Sequence, residues 1–190
     1  MLKKFCVVGY PVNHSLSPKM HNAAYRALGL TDFHYEAVDV PHKDLEGFLK
    51  RVRRGEFFGA SVTVPYKQEV MKHVNLLTEN AKKIDAVNTI YVNDGQLVGE
   101  NTDWYGVYMA LEEVISLRDR IVLIYGAGGA ARAALFALQG SEAKVCLTNR
   151  SISKGKALAD EFGVAFVDPA DMPSVNIFIN ATSVGLEKND

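Results

Sequence analysis

Short apolar runs typical of strands alternate with amphipathic runs typical of helices along most of the chain. The predicted strands cover residues 4–9, 33–39, 58–63, 87–93, 96–99, 120–125, 143–148, 165–167 and 176–179. The predicted helices cover residues 18–28, 43–54, 66–73, 78–84, 104–116, 129–139 and 152–161. This alternation indicates an α/β protein rather than a β-sandwich or a helix bundle.

One pair of predicted strands is antiparallel. In the stretch TIYVNDGQLVG, Asp94 and Gly95 separate two apolar runs, and this dipeptide favours the positive φ angles of a tight hairpin turn. The hairpin predicts a mixed sheet in the first half of the chain.

The sequence changes character over residues 104–118, where an amphipathic helix ends in the polar stretch SLRDR. We therefore predict a first domain over residues 1–103, a linking helix over 104–118 and a second domain over 119–190, with a shared cleft. The second domain starts again with an apolar strand and a glycine-rich turn.

Composition and charge narrow the function classes. The chain is 48% hydrophobic, which is enough for substantial cores, and its formal net charge is -1. It therefore has no basic field for nucleic acid or an anionic membrane. No apolar run is long enough for a signal peptide or a membrane span, so we expect a cytoplasmic protein.

The cysteines and histidines give no sign of a metal site. Cys6 and Cys146 lie in separate apolar runs without CxxC spacing, which predicts buried free thiols. The five histidines include no HExxH-like pair, so no metal is expected.

The second half carries a dinucleotide fingerprint. The strand ending at Tyr125 is followed by Gly126, Ala127, Gly128, Gly129 and Ala130, and then by an apolar helix. In this pattern the first glycine permits the turn, the second admits a pyrophosphate, and the helix N-terminus attracts its charge. The sequence therefore predicts a nucleotide site here.

The end of the next strand indicates which nucleotide is bound. An NAD site normally has an acidic residue there for the ribose 2′-hydroxyl, whereas this chain has Asn149 and Arg150, followed by Ser151 and Lys154. A guanidinium pairs with a 2′-phosphate, so the sequence favours NADP. The alternative is that Arg150 and Lys154 are solvated charges beside a helix.

Three polar clusters follow strands in the first half, where α/β domains usually bind ligands. They contain Ser15 and Ser17, then Ser61, Thr63 and Lys67, then Asn88, Asn101 and Asp103. Simpler explanations remain for single residues, because Ser17 before Pro18 suits a helix N-cap and Asp103 could cap the linking helix.

Seven motifs, in order, make the chain resemble the shikimate dehydrogenase family: HSLSPKMHN, VTVPYK, AVNT, NTDWYG, GAGGAARA, TNRS and NATSVG. The resemblance implies an N-terminal α/β substrate domain with a mixed sheet and a C-terminal Rossmann domain that binds NADP. It also implies the reversible reduction of 3-dehydroshikimate to shikimate, in the biosynthesis of chorismate and aromatic amino acids.

The resemblance also assigns residues. It implies that Lys67 and Asp103 are catalytic, and that both also bind substrate. The other implied substrate ligands are Ser15, Ser17, Thr63 and Asn88, with Ser61 where the family usually has Asn. Implied NADP contacts are Gly126, Ala127, Gly128, Gly129, Ala130, Asn149, Arg150, Ser151, Lys154, Thr182 and Ser183.

Two alternatives stay open beside this interpretation. One is a quinate/shikimate dehydrogenase, for which we would expect an acidic residue near Arg150 to admit NAD. The other is a truncated inactive or ligand-sensing relative, since the family has further segments after NATSVG and the resemblance suggests a fragment of a longer enzyme. The expected partner is a small-molecule substrate, and the protein is either a monomer or a homodimer.

Overall fold

A computed structural model describes residues 1–185, so the last five residues of the predicted second domain, 186–190, lie outside the described part. The chain divides into two compact units, the first over Met1–Asn101 and the second from Thr102 onward. Among residues 1–185 there is no helix with both the length and the apolar character that crossing a membrane requires.

The first unit contains a six-stranded mixed sheet with the strand order β2-β1-β3-β5-β6-β4. The strands are β1 (Lys3–Gly9), β2 (Phe33–Asp39), β3 (Gly59–Val62), β4 (Leu76–Leu77), β5 (Thr89–Asn93) and β6 (Gln96–Glu100). The helices are α1 (Ser17–Ala27), α2 (Leu45–Arg53) and α3 (Glu79–Ile84), with 3₁₀ turns at His42–Asp44 and Glu69–Lys72.

Helices cover both faces of this sheet, and successive β1 side chains, which point to opposite faces, pack into two separate clusters. Cys6 and Val8 belong to the core that contains Phe48 and Leu49 of α2. Val7 belongs to a second cluster with Tyr35, against which Tyr25 of α1 packs. Strand β1 lies parallel to both β2 and β3, so their carboxyl ends meet at one edge.

The second unit contains a four-stranded parallel sheet with the order β10-β7-β8-β9, as in half of a Rossmann fold. Its strands are β7 (Ile121–Tyr125), β8 (Lys144–Thr148), β9 (Ala165–Phe166) and β10 (Ile177–Asn180). Its helices are α4 (Asp103–Glu112), α5 (Gly129–Ala137) and α6 (Ile152–Phe162), with a 3₁₀ turn at Pro169–Asp171.

Because β8 and β10 lie on opposite sides of β7, the connections from β7 and to β10 run to opposite sides of the sheet, and the strand order reverses at β7. Open α/β sheets bind ligands at such switch points. The core below this edge contains Val122 and Ile124 of β7 and Ala131 and Leu135 of α5. Trp104 of α4 packs edge-on against Phe136 of α5, with ring centroids 5.5 Å apart.

The α/β architecture is confirmed, and most predicted elements occur within two or three residues of their predicted bounds. The hairpin is also confirmed, since Asp94 and Gly95 have φ angles of 49° and 74°. Cys6 and Cys146 are buried free thiols, as predicted.

Two local predictions are wrong, and one short strand was missed. The helix over 66–73 is only the 3₁₀ turn Glu69–Lys72, because the Lys67 carbonyl accepts from the Val87 amide rather than from a helical amide. Strand β4 was not predicted, since two residues give no alternation. Ser17 is not the N-cap of α1, because Leu16 occupies that position and Ser17 is the first helical residue.

Candidate functional site

The loop between β1 and α1 holds the two candidate serines beside each other. The Ser15 hydroxyl donates to Ser17 Oγ over 3.1 Å and accepts from the Ser17 amide over 3.2 Å. Two residues that precede the serines also bind the sheet: the Val12 amide, over 2.5 Å, and the Asn13 side chain both donate to the carboxylate of Asp39 at the end of β2. Asp39, which sequence reasoning missed, therefore fixes this loop to the sheet edge.

Thr63 follows β3 at the same edge. Its amide donates to the Val8 carbonyl over 2.9 Å, which extends the β1–β3 pairing by one residue. A Cβ on Gly9 would lie 2.6 Å from Thr63 Cγ2, so this approach requires glycine at position 9. The Thr63 side chain is thus held against the start of the serine loop.

Backbone hydrogen bonds bring Lys67 and Asn88 to this edge. The Val62 amide donates to the Asn88 carbonyl, and the Val87 amide donates to the Lys67 carbonyl, each over 2.7 Å. The Asn88 side-chain oxygen also accepts from Thr89 Oγ1 over 3.0 Å. Ser15, Ser17, Thr63, Lys67 and Asn88 therefore all lie at one end of the first sheet, Ser17 as the first residue of α1 and the other four in the connections.

Ser61 lies inside β3, paired in register with Val7 on one side and Thr89 on the other. Its Oγ accepts from the Tyr35 hydroxyl over 2.8 Å. Burial of the Tyr35 ring raises the pKa of its hydroxyl to about 12, so Tyr35 is a neutral hydrogen-bond donor at physiological pH.

Asn101 is hydrogen-bonded to the segment that leads to Asn88. It is fully buried and its side-chain amide donates to the Ala86 carbonyl over 3.0 Å. The preceding Glu100 accepts from the Asn101 amide and from Thr78 Oγ1. The sequence signal was the position of Asn101 in NTDWYG, but its supporting role depends on a long-range contact.

In the second unit, a cavity of about 330 Å³ opens where β7, β8 and β10 end. Its lining includes the predicted residues Gly126, Ala127, Gly128, Asn149, Arg150, Ser151, Lys154, Thr182 and Ser183. Gly129 and Ala130 begin α5 beside it and are not among its lining residues. Tyr125, Ala181 and Val184 also line the cavity and were not predicted.

The glycine turn of this cavity is sterically constrained at its first position. Gly126 has a φ of 133°, and a Cβ there would lie 2.7 Å from the Ala181 carbonyl oxygen. Gly128 is the exposed N-cap of α5, and a Cβ there would meet no atom within 4 Å. The turn therefore leaves open space in front of the α5 amides, which suits a phosphate group.

The end of β8 supplies the positive charge of the cavity. Asn149 donates from its side chain to the Ser151 carbonyl over 2.8 Å, which fixes the turn that carries Arg150. Lys154 lies in the first turn of α6. Among the described residues, the cavity lining contains these two cations and no carboxylate. This donor set suits a phosphate monoester on an adenosine ribose.

Thr182 and Ser183 form the opposite wall, in a turn organised by Asn180. Asn180 Oδ1 accepts from the Thr182 amide over 3.1 Å and from Thr182 Oγ1 over 2.6 Å. Its side-chain nitrogen donates to the Val184 carbonyl over 2.9 Å. An asparagine after an apolar strand is a turn signal that could have identified this residue.

Asp103 belongs to the second unit, as the first residue of α4. The N-cap position is Thr102, so the simpler explanation of Asp103 as the cap of the linking helix is wrong. Its carboxylate lies in the first helical turn, where the helix dipole favours negative charge.

Comparisons with known proteins agree with both units. Residues 7–90 match the family described as the shikimate dehydrogenase substrate binding domain, and residues 108–185 match the family described as shikimate / quinate 5-dehydrogenase. An NADP(+) shikimate dehydrogenase from Exiguobacterium is 42% identical over 96% of this chain and 69% of its own length.

Solved structures give the same result. A shikimate dehydrogenase crystallised with NADP+ is 40% identical, with a TM-score of 0.90 over 99% of this chain and 69% of that one. The Thermus thermophilus enzyme, crystallised with NADP(H) and shikimate, is 43% identical, with a TM-score of 0.88 over 98% of this chain and 70% of that one. The chain belongs to the shikimate dehydrogenase family.

Proposed function

We propose that this chain carries out the NADP-dependent, reversible reduction of 3-dehydroshikimate to shikimate, a step towards chorismate and the aromatic amino acids. The observation that carries this proposal is the set of five polar residues at one end of the first sheet: Ser15, Ser17, Thr63, Lys67 and Asn88. They offer hydroxyls, an amide and one ammonium group, which match a small acid bearing several hydroxyls.

The serine pair binds the substrate carboxylate. Two neutral hydroxyls donate hydrogen bonds to a carboxylate without burying a full positive charge beside it. Thr63 and Asn88 bind the ring hydroxyls. Neutral donors hold the acid with moderate affinity, which allows the product to leave.

Lys67 supplies the proton. NADPH, when bound, supplies the hydride that is added to the carbonyl carbon, and the carbonyl electron pair then moves to the oxygen. The Lys67 ammonium group stabilises the negative charge on that oxygen and transfers a proton from Nζ to it. Asp103 is the second catalytic side chain that the resemblance to the family implies.

The second unit selects the cofactor. Its glycine turn leaves space for a pyrophosphate in front of α5, and Arg150 and Lys154 bind the 2′-phosphate. Over residues 1–185, the cavity lining lacks the acidic side chain that usually accepts hydrogen bonds from the ribose hydroxyls of NAD. NADP is therefore the preferred cofactor, in place of the NAD expected for a quinate/shikimate enzyme.

The test is the kinetics of Lys67→Ala, with shikimate and NADP as substrates. We expect kcat to fall by about 10²- to 10⁴-fold, the usual contribution of general acid–base catalysis, with a much smaller change in KM. Lys72→Ala, which removes an exposed lysine of the next 3₁₀ turn, is the matched control and should retain the wild-type kcat. An unchanged kcat for Lys67→Ala would remove Lys67 from the chemistry, and turnover of quinate with NAD would favour the alternative enzyme.

A further inference from the structure

Tyr35, in the middle of β2, joins three elements that carry the substrate side of the site. Asn22 of α1 makes two hydrogen bonds to its backbone, donating to the carbonyl over 2.7 Å and accepting from the amide over 2.9 Å. His21 of α1 stacks on its ring, with centroids 4.2 Å apart and planes 15° from parallel. Its hydroxyl reaches Ser61 of β3.

These contacts fix α1 against β2 and β3 at one point. The serines that bind the carboxylate lie in and before the first turn of α1, and Thr63 follows β3. A shift of α1 along the sheet would break the two Asn22 bonds and the His21 stacking together. The spacing between the serine pair and the β3 side chains therefore depends on Tyr35.

The hydroxyl of Tyr35 also determines the direction of the hydrogen bond that it makes with Ser61. A phenol is more acidic than an alkyl alcohol, so in a tyrosine–serine pair the tyrosine donates and the serine accepts. Tyr35 is only 4% exposed, so water does not compete for this bond. Ser61 is half-buried, and because it accepts from Tyr35, its own hydroxyl hydrogen remains available to donate to another group.

The alternation of side chains along β3 shows which face of the sheet Ser61 occupies. Residues two apart on a strand face the same side, so Ser61 shares its face of β3 with the following Thr63. That is the face on which Tyr35 and Val7 cluster, beneath α1. Ser61 therefore offers a hydrogen-bond donor on the same side as the other substrate ligands.

We propose that Tyr35 is a positioning residue for substrate binding, which holds Ser61 so that its hydroxyl donates to an oxygen of the bound polyhydroxy acid. This inference rests on the proposed function, because it takes shikimate as the ligand of the first unit.

The experiment is a double-mutant cycle on the dissociation constant of shikimate, measured by isothermal titration calorimetry. Tyr35→Phe and Ser61→Ala each remove the bond from one end, and the double variant removes both ends. We expect each single variant to weaken shikimate binding by about two- to tenfold, the usual range for one hydrogen bond. The double variant should bind no more weakly than the weaker single variant.

Two controls separate positioning from a general loss of structure. Tyr25→Phe removes another tyrosine hydroxyl, from a ring that packs against the same cluster, and should leave the shikimate affinity unchanged. The dissociation constant of NADP should be unchanged in every variant, because its cavity lies in the second unit. Tyr35→Phe keeps the ring that stacks on His21, so we expect it to fold; if it does not, Tyr35→His, which also lacks the phenol hydroxyl, takes its place in the cycle.

The outcomes distinguish the two claims. Wild-type protein that does not bind shikimate overturns the proposed function and this role of Tyr35 with it. Wild-type binding that is unchanged in Tyr35→Phe, or single-variant effects that add in the double variant, overturns the positioning role alone. A loss of NADP affinity equal to the loss of shikimate affinity would identify a structural defect instead.

Discussion

Two glycines of one turn should respond differently to substitution by alanine. We expect Gly126→Ala to lower the stability of the second unit, and Gly128→Ala to lower its affinity for NADP at nearly unchanged stability. An added methyl group at Gly126 would lie 2.7 Å from the Ala181 carbonyl oxygen, and the φ of this residue is 133°. Ala181 cannot easily move away, because its amide donates to the Tyr125 carbonyl over 2.8 Å. At Gly128 the same methyl group meets no atom within 4 Å.

The expected loss of stability follows from these contacts. A positive φ costs an alanine about 1–2 kcal/mol, and overpacking against a fixed backbone adds about 1–3 kcal/mol. Gly126→Ala should therefore lower the free energy of unfolding of the second unit by about 2–5 kcal/mol. Gly128 has an extended backbone, with φ −103° and ψ −172°. Gly128→Ala should therefore change the free energy of unfolding by less than about 1 kcal/mol.

The single tryptophan makes the measurement specific to this unit. Trp104 packs on Phe136 of α5, so its fluorescence during urea denaturation reports the unfolding of the second unit. A parallel NADP titration completes the comparison. Gly128→Ala should weaken NADP binding by about tenfold or more, because its methyl group occupies the space that the pyrophosphate needs.

A Gly126→Ala variant as stable as wild type would contradict both the cost of the backbone angle and the clash with Ala181. Normal NADP binding by Gly128→Ala would show that the open space at the α5 N-terminus has no part in phosphate binding.

Other expectations concern the cofactor, the tyrosine of the first unit and the buried thiols. Arg150→Ala should reduce the preference for NADP over NAD by about 10- to 100-fold, the value of one charge-assisted hydrogen bond, and an equal preference in both proteins would exclude Arg150 from 2′-phosphate binding. Burial raises the pKa of Tyr35 from 10.0 to about 12, so the unfolded state loses this proton first and stability should decline between those pH values; Tyr35→Phe should show a smaller decline in alkaline denaturation. Burial also raises the pKa of the Cys6 and Cys146 thiols, so both should react with a maleimide only after unfolding, and fast labelling of the native protein would contradict their burial.

The alternation of apolar and polar positions was enough to predict the fold because each strand and helix signal is local. The Asp94–Gly95 hairpin and the glycine turn after β7 are cases in which two or three residues determine a backbone conformation. Short-range pattern failed where a distant partner decides the structure. Lys67 leaves a helical conformation because its carbonyl accepts from Val87, twenty residues away along the chain.

The same distinction explains which site residues the sequence could identify. Arg150 and Gly126 follow strands in motifs with fixed spacing, so their place at the sheet edge was predictable. Asp39 and Tyr35 act through hydrogen bonds to residues that are distant along the chain, and no local pattern marks them. Asn101 lies in a motif, but its contact with the Ala86 carbonyl is just as distant and was not predictable. Asn180 is intermediate, because a strand followed by asparagine predicts a turn but does not predict that this turn lines the cofactor cavity.

The proposed function is tested most directly by the rate of NADPH oxidation by this chain with 3-dehydroshikimate, followed by absorbance beside the Thermus thermophilus relative. We expect oxidation that requires 3-dehydroshikimate, is faster with NADPH than with NADH, and is lost in Lys67→Ala. No oxidation under conditions where the relative is active, or equal oxidation by wild type and Lys67→Ala, would contradict it.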